Sequence, residues 1–89
     1  MKLTAIKAMF APGQTWHAVR TGGGKHRDEL RTVHRVQSKC LVFRVPPDGE
    51  LYWTNWPKAS EVLEAKPGFV RFSYADVPGV EVTLQEMKR

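Results

Sequence analysis

Cysteine is nearly missing from this chain. Cys40 stands alone, so no internal disulfide can form and nothing points to an oxidising compartment. Long hydrophobic runs are missing too. The opening stretch MKLTAIKAMFAPG starts basic, but Lys7 breaks its apolar part and leaves it too short for the hydrophobic region of a secretory signal. No other stretch approaches the roughly 20 apolar residues that span a bilayer. These absences lead to the expectation of a soluble cytoplasmic protein with no membrane partner. Low-complexity tracts and internal repeats are also absent, so nothing suggests disorder or a repeat array.

What is present is an ordinary globular composition over 89 residues, 42% hydrophobic and 26% charged. That reads as one small domain covering 1–89, of a size that often folds without metals or disulfides. Charge is the unusual quantity. The chain carries +5 overall, but residues 1–45 hold nine Lys and Arg against Asp28 and Glu29, while residues 46–89 hold five against seven acids. The whole basic excess therefore lies in the first half. Such asymmetry suggests an anionic partner, and a solvated surface that keeps the protein soluble is the simpler alternative.

Turn signals divide the chain into short segments. Leu3, Ile6 and Phe10 recur at helical spacing before the stop Ala11-Pro12-Gly13, which predicts a short N-terminal helix over Leu3 to Phe10. TWHAVR, Leu30 to Gln37, and Cys40 to Val45 read as strands, the last with Leu41, Phe43 and Val45 on one face. Pro46-Pro47-Asp48-Gly49 is a turn into a fourth strand, ELYWTNW, whose aromatics suit a pleated surface. Leu51 and Trp53 are expected to face its core. Pro57 fits the first turn of a helix near residues 57–66, closed by Pro67-Gly68. Val70, Phe72 and Tyr74 alternate in a fifth strand, and Val80, Val82 and Leu84 in a sixth. No strand–helix–strand alternation appears, so a parallel sheet is not expected. The pattern predicts a mainly β fold: a small, strongly bent antiparallel sheet or barrel of five to six strands with two short helices.

Over residues 12–60 this order resembles a small SH3-like barrel of the KOW or Tudor kind. The segments that carry the resemblance are PGQTWHAV at 12–19, RTVHRV at 31–36, CLVFRV at 40–45 and ELYWTNW at 50–56. Leu30-Arg31 stand where a KOW segment places glycine, and no aromatic cage of the Tudor type is present. The compact layout also looks like small proteins carried by phages and prophages.

The run TGGGK at 21–25 invites comparison with a phosphate-binding loop. Such a loop needs another glycine upstream, Ser or Thr after the lysine, and a helix beyond; here Arg20 lies upstream, His26 follows Lys25, and the next element reads as strand. The run is read instead as a strand-to-strand connection. Around it gather the basic residues: Arg20, Lys25, Arg27, Arg31, Arg35 and Arg44. Arg31 and Arg35 should share a strand face by the period of two, with Arg44 brought beside them by the hairpin. A stripe of this kind neutralises backbone phosphates, and Tyr52 or Trp56, if outward-facing, offers a ring for an unpaired base or a partner protein. His17, His26, His34 and Cys40 lie too far apart in sequence for paired zinc ligands, so neither metal nor cofactor is expected. No set of residues supplies nucleophile, base and orienting group together. The expectation is a non-enzymatic binding module associated with nucleic acid through residues 20–44. The alternative is a protein-interaction module, such as a phage-encoded factor that modulates a host protein.

Overall fold

Short alternating segments punctuated by glycine and proline favour hairpin pairing with their chain neighbours, and a further pairing between the first and last strands joins them in a single antiparallel sheet. A computed structural model describes residues 1–24, 26–46 and 48–87 of the protein. It contains a five-residue helix α1 (Leu3–Lys7) and strands β1 (Thr15–Thr21), β2 (Arg27–Val36), β3 (Cys40–Val45), β4 (Glu50–Asn55), β5 (Val62–Lys66), β6 (Phe69–Tyr74) and β7 (Val77–Glu86). The strand order is β4-β3-β2-β1-β7-β6-β5, so the sheet is two antiparallel ribbons joined where β1 meets β7.

The sheet is strongly curved. From β4 to β6 there are five inter-strand steps, which at about 4.8 Å each would separate the two strands by about 24 Å in a flat sheet. Yet the Tyr74 hydroxyl on β6 donates to the backbone carbonyl of Asn55 on β4 at 3.0 Å. One face is therefore concave and holds the core. Trp16, Ala18, Val33, Leu41, Phe43, Val70, Phe72, Val80, Val82 and Leu84 all turn into it and are buried. The inward alternations expected in β3, β6 and β7 are present. α1 stops short of the expected Phe10, but Ile6 and Phe10 both drop into one end of the concavity. There Phe10 stacks on the fully buried Trp16 at 4.1 Å, and the Trp16 Nε1–H donates to Gln14. Pairing of this large indole with both a ring and an acceptor is what lets it be buried entirely.

The helix expected near residues 57–66 is absent. In its place a single 3₁₀ turn, Ala59–Glu61, runs straight into β5. Pro67-Gly68, read from the sequence as a helix stop, is a two-residue hairpin turn joining Lys66 to its cross-strand partner Phe69, with Gly68 at φ +77°. That turn favours pairing of Val62–Lys66 with β6 over continuation of the helix, and it supplies the seventh strand. β5 is an edge strand, bulged between Val62 and Glu64 and bearing exposed Glu64 and Lys66, features that discourage pairing with another chain. The Glu61 carboxylate fixes the 3₁₀ turn by accepting the backbone N–H groups of Lys58 (2.7 Å) and Ala75 (2.6 Å).

Candidate binding site at the basic end of the concave face

The inner faces of β1 and β2 change character along their length. Paired residues of neighbouring strands share a face. Trp16 pairs with Arg31, Ala18 with Glu29, and Arg20 with Arg27, so the floor runs from tryptophan to arginine within five residues of β1. Like charges directly opposite each other, as in Arg20 and Arg27, cost stability. In β4, Tyr52 pairs with Phe43 and Thr54 with Leu41, so both point inward.

Ala18, Arg20, Arg31, Tyr52, Thr54, Tyr74 and Val82 line a cavity of about 330 Å³ that opens to solvent, with Trp53, Asp76 and Val77 also in its lining. Arg31 is its most unusual member. It is 3% exposed, and its guanidinium carbon lies 4.4 Å from the Tyr52 ring centroid and 5.5 Å from that of Phe43. Arg27 lies 4.6 Å from the same Tyr52 ring, and Arg20 donates to the Tyr52 hydroxyl at 3.5 Å. One carboxylate serves two of these cations: Glu29 accepts from Arg31 at 3.2 Å and from Arg27 at 2.9 Å. Among the described residues Arg31 Nε, Arg20 Nε and Thr54 Oγ1 are buried without a hydrogen-bond partner. Leaving a buried polar group unpaired costs roughly 1–3 kcal/mol, and more for a charged one. Contact with an aromatic face returns about 2 kcal/mol to a desolvated cation. Three unpaired donors in one cavity are therefore a local sacrifice of stability, of the sort found where a protein binds something.

The two tyrosines register the local field in opposite directions. Burial alone would raise the Tyr52 hydroxyl, but the guanidinium groups of Arg27, Arg20 and Arg31 outweigh it and hold Tyr52 below the ordinary phenol value. Tyr74, on the opposite wall, is pushed up to about 12, chiefly by burial.

The expected stripe of basic residues divides between the two faces. Arg20, Arg27 and Arg31 converge at the cavity. Arg35 does not share a face with Arg31, because the register shifts between Val33 and Arg35. That shift pairs Arg35 with Val42 and turns it, with Arg44, onto the convex face, where Arg44 donates to the Gly49 carbonyl at 3.3 Å. Lys25 lies outside the described residues. Tyr52 reaches the site, whereas Trp56 is structural: its ring meets Phe10 edge-on at 5.4 Å and its Nε1–H donates to the Gln37 carbonyl at 2.8 Å. The faces expected for β4 are reversed, since Tyr52 and Thr54 line the interior and Trp53 is 55% exposed. The inner end of β4 faces arginines, so polar residues fill it. Sequence reasoning missed Thr54, Glu29 and the site role of Tyr74; each lies two residues from an inward-facing neighbour, at Tyr52, Arg31 and Phe72.

The glycine run also has a packing reason. A Cβ at Gly22 would lie 1.8 Å from the Gly79 carbonyl oxygen, and φ there is +87°. Only glycine lets the end of β1 approach the start of β7 so closely. Elsewhere, His17 pairs with Asp28, and Cys40 donates to Gln37. Among the described residues no three His, Cys, Asp or Glu side chains gather as metal ligands, and no helix is long and apolar enough to cross a membrane. In comparisons with known proteins, the chain matches no family model, no curated protein and no solved structure.

Proposed function

We propose that this protein is a non-enzymatic module that binds single-stranded nucleic acid at the basic end of its concave face. The observation that carries the reading is the convergence of Arg20, Arg27 and Arg31 around Tyr52, in a cavity that holds buried donors without partners. Guanidinium groups suit phosphate oxygens because they present planar, paired donors. The resemblance of residues 12–60 to SH3-like barrels of the KOW or Tudor kind is compatible with such a role, although fold alone never assigns one.

The contact is smaller than a six-residue basic stripe would give. For three phosphates neutralised on a single strand, log K should fall against log salt with a slope of about −2, against about −4 for six. Titration of a labelled single-stranded oligonucleotide at several salt concentrations measures that slope. Absence of binding at low salt, or binding unchanged in an Arg20→Gln/Arg27→Gln variant, contradicts the reading.

The exposed ring of Trp53 favours a second reading, contact with a protein through the convex face. Beside it lies Val42, fully buried although it points away from the core. Capture of one partner protein that survives nuclease treatment and is lost on Trp53→Ala would support this alternative.

A further inference from the structure

We propose that the cavity receives a terminal phosphate monoester, so that the module holds a phosphorylated strand end or a mononucleotide and not the middle of a chain. This rests on the nucleic-acid reading above and narrows it to one ligand chemistry.

The size of the cavity is the first reason. A volume of about 330 Å³ falls within the range of small-molecule sites and suits a terminal nucleotide.

Donor chemistry is the second reason. Arg20, Arg31, Tyr52 and Thr54 all line the cavity, and the Nε groups of both arginines and the Thr54 hydroxyl lack partners among the described residues. Arg31 and Thr54 are each more than nine-tenths buried. Guanidinium and hydroxyl donors arriving from three strands match a group with three free oxygens better than a carboxylate with two. Charge is the third reason. Arg20, Arg27 and Arg31 against Glu29 and Asp76 leave an excess of one cation, which calls for an anionic ligand. A terminal phosphate carries about −1.5 to −2 near neutral pH. The arginine field that depresses Tyr52 is the field such a dianion would neutralise.

The test uses the full chain and one oligonucleotide sequence in three forms: 5′-phosphorylated, 3′-phosphorylated, and hydroxyl at both ends. At least one phosphorylated form should bind about tenfold more tightly than the hydroxyl form, equivalent to about 1.4 kcal/mol. That preference should vanish in Arg31→Met and in Thr54→Val and persist in Arg35→Gln. Should Arg31→Met fail to fold, the near-isosteric Thr54→Val carries the test. Inorganic phosphate should compete with the phosphorylated form and raise the Tyr52 pKa, followed by tyrosinate absorbance; acetate should do neither. A nucleoside monophosphate that competes as well as the phosphorylated strand identifies the mononucleotide as the sufficient ligand. Equal, salt-sensitive binding of all three forms overturns the end-specific site while leaving the nucleic-acid reading intact. Failure of all three to bind overturns both. Competition by acetate as strong as by phosphate, or an unmoved Tyr52, overturns the assignment to phosphate.

Discussion

The two ends of the concave face are built on the same strands and solve opposite problems. At the α1 end, Trp16 is covered by Phe10, hydrogen-bonded to Gln14, and wholly removed from solvent. Arg31 is the cross-strand partner of Trp16, and its side chain lines the cavity. It is almost as deeply buried, yet its Nε has no partner among the described residues and the carboxylate it meets is shared with Arg27. Apolar burial of roughly 25 cal/mol per Å² holds the first end together. The second end draws on that stability to keep charged donors desolvated. In a domain of 89 residues the difference separates the end whose burial holds the fold from the end that keeps charged donors unpaired among the described residues.

The comparison can be broken most forcefully at Phe10. Phe10→Ala should cost about 3–5 kcal/mol in urea unfolding, a large share of the stability of a small domain, while oligonucleotide affinity per folded molecule stays the same. Gly22→Ala forces a Cβ against the Gly79 carbonyl and strains a positive φ, so it should cost more than about 1 kcal/mol by the same measurement. Arg31→Met should do the reverse of Phe10→Ala. Glu29 keeps Arg27 as partner, and replacing a buried cation by an apolar side chain should leave stability unchanged or raise it by about 2 kcal/mol, while binding falls.

Alkaline pH sharpens the contrast from another side. Tyr74 holds its proton to about 12 in the folded state, against about 10 for an exposed phenol. Its contribution is therefore complete below about pH 10 and is lost as pH rises towards 12. Tyr74→Phe should flatten that loss in melting curves, at the expense of about 1 kcal/mol for the hydrogen bond to Asn55. The smallest effects belong to the convex face. Arg35→Gln and Arg44→Gln should each change stability by no more than about 0.5 kcal/mol and leave binding nearly unaltered.

Much of the fold was legible because alternation is local. Leu41-Phe43-Val45, Val70-Phe72-Tyr74 and Val80-Val82-Leu84 announce strands with one inward face, and those faces are the core. What failed was decided between segments. The helix near residues 57–66 had suitable composition, but a Pro-Gly hairpin turn with β6 as a ready partner overrode local propensity. The basic stripe assumed an uninterrupted period of two through RTVHR, and the register shift after Val33 placed Arg31 and Arg35 on opposite faces. Trp53 was expected inside because it is large and apolar, yet the strand it occupies faces arginines, and Tyr52 and Thr54 take the interior. Charge concentration alone picked out Arg20, Arg27 and Arg31, half of the residues that meet at the cavity. The other half, Tyr52, Thr54 and Tyr74, depends on how far the sheet curls, which brings β4 and β6 together although they lie far apart in strand order.

The most direct test of the basic end is to map backbone amide shifts by NMR while a single-stranded oligonucleotide is titrated into the protein. Binding at the cavity predicts that the largest shifts fall on Arg20, Arg27, Arg31, Tyr52, Thr54 and Tyr74, with Thr32, Arg35 and Arg44 nearly still. Shifts concentrated on the convex set, with the cavity residues unmoved, would contradict it.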